Sequence, residues 1–108
     1  MSRGFRRQKY RNRRTEVDGI NFASQREAVR YCELRLLERA GDIRHLECQV
    51  PFNIEVNGKH VCKYIADFVY LDSESNEVVE DAKGFRTDVY RLKKTLMRIV
   101  NGIDIKEV

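Results

Sequence analysis

Tyr64-Ile-Ala-Asp-Phe-Val-Tyr70, followed by Glu77-Val-Val-Glu-Asp-Ala-Lys-Gly84, decides the reading of this chain. Both stretches are apolar and β-branched enough to read as strands, and both are interrupted by charge where a plain core strand carries none. The turn between them, Asp72 to Asn76, is polar. Side chains alternate across a strand, so Asp67 is expected to share a face with Ile65 and Val69, and Asp81 with Val79 and Lys83. If the two strands pair, Asp67 and Asp81 meet near one end of the sheet, with Lys83 roughly 7 Å further along and Glu80 on the other face.

Working outward, Asn57-Gly58 predicts a hairpin turn joining the strand from about His60 to Leu71 to one from Leu46 to Val56. Pro51 marks that earlier strand as an edge or a bulge. Ser24-Gln-Arg-Glu27 is a capping box, predicting a helix that runs to about Ala40 and stops at Gly41. Its apolar stripe is Ala28, Tyr31, Leu34 and Leu37, widened by Val29, Cys32 and Leu36. Thr87 caps a second helix to about Val100, packing through Leu92, Leu96, Ile99 and Val100. A short strand from Ile103 to Val108 ends the chain, and residues 1–22 read as extended or irregular. The order is α-β-β-β-α-β, an α/β fold with a central mixed sheet flanked by helices.

The chain has 108 residues, enough for one domain and a modest core. No apolar run approaches the roughly 18 residues that span a bilayer, and no apolar block follows the N-terminal basic residues as in a secretory signal. A cytoplasmic, membrane-free protein is the expectation. Cys32, Cys48 and Cys62 fit neither a disulfide framework nor a zinc site and read as buried thiols. The net charge of +4 is unevenly spread. Arg3, Arg6, Arg7, Lys9, Arg11, Arg13 and Arg14 make residues 1–14 a basic arm without acids, and the remaining domain, 15–108, is net negative. Such an arm can lie along a phosphate backbone, with Tyr10 free to stack, or can simply be a solvated tail.

Two carboxylates a few ångströms apart repel each other, and a divalent cation relieves the repulsion. All-oxygen ligands favour Mg²⁺ or Mn²⁺ over zinc. Such an ion lowers the pKa of bound water, and Lys83 can orient the nucleophile or meet extra charge on phosphorus. The bland alternative is a salt-bridged sheet edge, with Asp81 paired to Lys83. Glu27 is explained by its place in the capping box, yet it borders the buried stripe and can also supply a third oxygen. Gln49 is either a surface residue or a polar group reaching the phosphate. Lys93 and Lys94 are a solvated face or contacts to a nucleic-acid backbone. Tyr64, Tyr70 and Tyr90 read as core or rim residues rather than base-stacking ones.

A resemblance rests on five segments. They are Arg14-Thr-Glu-Val-Asp-Gly-Ile-Asn-Phe-Ala-Ser-Gln-Arg-Glu27, Leu34-Arg-Leu-Leu-Glu-Arg-Ala-Gly-Asp-Ile43, Ile65-Ala-Asp-Phe-Val-Tyr70, Val79-Glu-Asp-Ala-Lys-Gly84 and Tyr90-Arg-Leu-Lys-Lys-Thr-Leu-Met97. In these the chain resembles a phage and prophage family of small proteins within the PD-(D/E)XK nuclease superfamily. The resemblance covers nearly everything from Arg14 to Val108. It implies a restriction-endonuclease-like αβββαβ core and a metal-dependent DNA endonuclease. Glu27 would be the helix carboxylate, Asp67 and Asp81 the metal ligands, Lys83 the motif lysine and Gln49 an accessory polar residue of the active site. Ala66 stands where the motif often has proline. A small core, a basic arm and a phage-like relationship suggest branched recombination or replication intermediates, and a Holliday-junction resolvase acting as a homodimer in a bacterial host is the leading specific expectation. A duplex-cutting nuclease and an inactive scaffold for DNA binding or phage assembly are the alternatives.

Overall fold

A computed structural model describes residues 14–108. The arm residues Arg3, Arg6, Arg7, Lys9, Tyr10, Arg11 and Arg13 lie outside the described residues. Eight elements follow in order: strands β1 (Thr15–Val17) and β2 (Ile20–Phe22), helix α1 (Gln25–Arg39), strands β3 (Arg44–Val56), β4 (Lys59–Leu71) and β5 (Glu77–Asp81), helix α2 (Asp88–Asn101) and strand β6 (Ile105–Glu107). From α1 onward this is the expected α-β-β-β-α-β order. The main sheet runs β3-β4-β5-β6, antiparallel across its first three strands and parallel between β5 and β6.

Local chemistry sets most boundaries. Ser24 has extended backbone and accepts the Glu27 N–H at 3.2 Å, which starts α1. Gly41 takes the left-handed conformation (φ 84°) that closes it. Thr87 accepts the Tyr90 N–H at 3.0 Å, and Gly102 (φ 70°) ends α2. Asn57 and Gly58 both have positive φ, as a two-residue hairpin between right-twisted strands requires.

The start of the chain differs from expectation. Thr15 to Phe22 is not irregular but a small hairpin, turning on Asp18 (φ 54°) and Gly19 (φ 78°). Asp-Gly between alternating residues is the signal for it. Phe22 at its end is buried against Tyr31 and Phe68.

The helices cover opposite faces of the sheet around Val69. Ala28, Tyr31 and Leu34 of α1 pack with Phe22, Phe68 and Tyr70. Tyr90 and Met97 of α2 pack with Ile54, Tyr64, Val69, Val79 and Ile105. Both expected helix faces are narrower than the sequence suggests. Val29, Leu36 and Leu37 are exposed on α1, as are Leu92, Ile99 and Val100 on α2. Cys32 is exposed too, and Cys48 and Cys62 are half-buried, so none of the thiols is a core residue.

One irregularity positions the site. Tyr64 and Ala66 belong to the α2-side core, whereas Phe68 and Tyr70 belong to the α1-side core. Strict alternation would keep all four together. The change of side falls at Asp67, so Asp67 does not share one uninterrupted face with Ile65 and Val69. Across the ladder, the pairs Cys48–Phe68 and Val50–Ala66 leave Gln49 opposite Asp67, and Gln49 itself has φ 56°. A left-handed residue within a strand re-aims its neighbours, and here it does so beside an acid.

Candidate active site

Strand β5 stops at Asp81 rather than at Lys83. Ladder pairing with β4 runs from Leu71–Glu77 to Phe68–Glu80. The next donor on the chain, Ala82 N–H, goes instead to Asp67 Oδ2 at 2.8 Å. Beyond it the backbone turns to the C-terminus: Val108 N–H donates to the Asp81 carbonyl at 3.0 Å, and Lys83 N–H to the Val108 carbonyl at 3.3 Å. Ala82-Lys83 is thus held between Asp67 on one side and the chain end on the other.

Asp81 is almost fully buried, at 1% exposure. The Tyr64 hydroxyl donates to its Oδ2. Its Oδ1 takes no hydrogen bond from the described residues, though Lys83 Nζ stands 3.1 Å away as an ion pair. Lys83 Nζ also lies 4.4 Å above the Tyr90 ring, within cation–π range. The Tyr90 hydroxyl in turn donates to Glu107 Oε2 at 2.8 Å. Each acid therefore has one oxygen tied by a neutral donor, while Asp81 keeps a buried oxygen without a hydrogen bond.

The electrostatics follow from this crowding. Burial, then the Asp81 charge and that of Glu27, push the Asp67 carboxyl up to about 7. Burial raises Glu27 as well, with Asp81 adding to the rise and Ser24 and Lys83 opposing it. Burial and the neighbouring Asp81 drive the Tyr64 phenol far above its usual range, so it remains a donor.

These residues open into two clefts that share Lys83. One, of about 260 Å³, is lined by Lys63, Asp67, Asp81, Lys83, Tyr90 and Lys93. The other, of about 710 Å³, is lined by Arg14, Arg26, Glu27, Lys83 and Phe85. The family described as a protein of unknown function, DUF1064, matches residues 7–105. The chain belongs to the DUF1064 family. No curated protein and no solved structure matches it.

The expected site residues of this DUF1064 chain come together in part. Asp67, Asp81 and Lys83 share one cleft; Glu27 faces the adjoining one while also completing the helix cap, where Ser24 Oγ donates to its Oε2 at 3.3 Å. Gln49 is not gathered in: its side chain is exposed, and Nε2 donates to the Asn21 carbonyl at 3.1 Å. Lys93 is half-buried in the acid cleft. Lys94 is engaged elsewhere, donating to Glu107 Oε2 at 2.9 Å. With Arg86, it holds the Glu107 carboxyl down at about 2.

Among the described residues, no three acidic, histidine or cysteine side chains stand close enough to form a metal cluster. The donor set of the DUF1064 chain still fits a hard divalent ion. Mg²⁺ keeps several waters and is commonly held by one or two carboxylates together with substrate phosphates. Asp67 and Asp81 supply that number, and the unbonded Asp81 Oδ1 is an oxygen such an ion would satisfy. The sequence reading missed Tyr64 and Tyr90 as parts of the site. Their hydroxyls carry no spacing signal, because what matters is which acid each ring reaches through the folded sheet.

Proposed function

We propose that this chain is a metal-dependent endodeoxyribonuclease of the PD-(D/E)XK type, hydrolysing phosphodiester bonds in branched DNA. The observation that carries the reading is the Asp67–Asp81 pair beside Lys83, with Asp81 Oδ1 buried and lacking a hydrogen bond. Asp67 and Asp81 would hold Mg²⁺ or Mn²⁺, with Glu27 at the edge of their field. When bound, such an ion supplies Lewis acidity and lowers the pKa of water. Tyr64 fixes the Asp81 carboxylate through Oδ2, and the Ala82 N–H fixes Asp67. Lys83, held over Tyr90, presents positive charge where charge builds up on phosphorus. Lys93, Arg14 and the basic residues of the arm (Arg3, Arg6, Arg7, Lys9, Arg11, Arg13) would engage the phosphate backbone.

Branched substrates, a four-way junction above all, suit a chain with little room for a separate specificity domain. Symmetric cuts across such a junction call for a homodimer, working in the cytoplasm of a bacterial host that carries a phage or prophage. No described helix is long and apolar enough to cross a membrane.

The test is a cleavage assay with Mg²⁺ or Mn²⁺ on four-way, flap and linear duplex DNA. Cleavage of branched DNA by the wild type and its loss in Asp81→Asn is the expected result. Preference for linear duplex would replace the resolvase reading by a duplex-cutting one. The absence of cleavage with intact DNA binding would favour a second reading: an inactive scaffold for DNA binding or phage assembly. The lack of a third clustered ligand among the described residues supports that alternative.

A further inference from the structure

Helix α2 carries more apolar side chains than the core uses. Tyr90 and Met97 are buried. Val89, Leu92 and Ile99 are 62%, 59% and 66% exposed, and Leu96 is only partly covered. Intervals of three, four and three residues separate Val89, Leu92, Leu96 and Ile99. That is the a–d–a–d repeat of a two-helix seam, and it forms a stripe to one side of the Tyr90–Met97 face. A stripe of this length left in water is unusual for a helix of a monomeric domain.

The charges beside the stripe choose its partner. With Val89 and Leu96 at the a positions, Asp88 occupies g and Lys93 the following e. The Asp88 side chain is fully exposed and approaches only Arg91, at 4.0 Å. In a parallel pair of identical helices, a g side chain faces the e side chain five residues further along its neighbour, and these pairings set orientation. Asp88 and Lys93 are five apart and opposite in sign, so two copies form that pair twice. An antiparallel pair would instead set Lys93 against Lys93.

We infer that the outer stripe of α2 is a homodimer interface, with a second copy of this chain packing its own α2 parallel against Val89, Leu92, Leu96 and Ile99. The face stands on the stripe and its charges; its consequence for the site rests on the nuclease reading. Val89 and Lys93 also line the cleft of Asp67 and Asp81. Pairing therefore brings Asp88 of the second copy to the mouth of each cleft. Parallel helices pack about 8–10 Å apart, and both clefts lie toward the N-terminal ends, so the two clefts sit side by side about the twofold axis. Antiparallel helices would separate them by about the helix length, roughly 20 Å for 14 residues.

Sedimentation equilibrium on the full chain, without DNA or metal, tests the interface. The wild type is expected to be a dimer. Leu92→Glu is expected to raise the dissociation constant on the order of 100-fold while leaving the circular dichroism spectrum and melting temperature of the protomer unchanged. Asp88→Lys and Lys93→Asp should each weaken the dimer, and the two together should restore it. A wild-type monomer at every concentration overturns the inference. So does a dimer indifferent to Leu92→Glu, or a double variant no tighter than the singles. A dimer that responds to these variants but cleaves no DNA upholds the interface and sinks the nuclease reading alone.

Discussion

Asp67 accepts the backbone N–H of Ala82 at 2.8 Å, so an acidic side chain takes over where the β4–β5 ladder ends. This bond orients the carboxylate and anchors the Asp81-Ala-Lys83 segment to it. The two acids are brought together by backbone geometry, at the expense of their own repulsion. That repulsion should be visible in the stability of the protein.

An acid whose folded pKa is raised binds its proton more tightly in the folded state than in the unfolded chain. Its contribution is fully present below the ordinary 3.8 and is lost as pH rises through about 7. Metal-free protein should therefore lose stability across this window, by at most about 1.4 kcal/mol per pH unit for one proton. Urea denaturation at a series of pH values checks this, and Asp67→Asn should flatten the slope. Equal slopes in the two proteins would remove the assigned role of Asp67.

Tyr64→Phe deletes the donor to Asp81 Oδ2 and leaves a buried acceptor without its partner. We expect a loss of about 1–3 kcal/mol in stability. Cleavage should fall about tenfold in kcat with KM for DNA little changed, because the ring contacts the acid rather than the backbone of the substrate. A change confined to KM would place Tyr64 in DNA binding instead.

Glu80 is the second fully buried acid, and it faces the other side of the sheet. Arg30 grips it through both oxygens, at 2.8 and 2.7 Å, and the Tyr70 hydroxyl donates to it as well. Arg30→Met should cost about 3–5 kcal/mol by stranding the charge, whereas adding Glu80→Gln should recover much of that loss. Thermal or urea unfolding of the single and double variants measures the coupling. Additive losses would show that Arg30 acts through packing alone.

Removing residues 1–14 takes away seven positive charges and ends just before the hairpin at Thr15. Affinity for DNA should drop, and the slope of log K against log salt should become shallower by about 0.9 for every duplex phosphate that the arm no longer neutralises. Titrations at several salt concentrations give that slope directly, and an unchanged slope would free the arm of its role.

The sequence announced those features that are written in a few adjacent residues. Ser24 with Glu27, Asn57 with Gly58, and Thr87 each name a local backbone conformation, and the elements begin and turn where they stand. Asp18-Gly19 carried the same kind of signal for the first hairpin, and only its nearness to the basic arm made it easy to pass over. The meeting of Asp67, Asp81 and Lys83 was legible because two strands joined by a short polar turn have little choice of register. The change of side at Asp67 was not legible. It depends on Gln49 adopting a left-handed conformation, which glutamine does not advertise. The periodicity of α2 likewise located an apolar stripe, but 3.6-residue spacing cannot say which of two adjoining stripes meets the sheet.

Strand β3 lies at the rim of the main sheet, with Pro51 in its middle and left-handed residues at His45 and Gln49. A straight rim of 13 residues would be an open template on which stray chains could build fibrils. The missing N–H of Pro51 and the two twists break that template into short pieces. The kink that re-aims the strand beside Asp67 thus also guards the protein against aggregation.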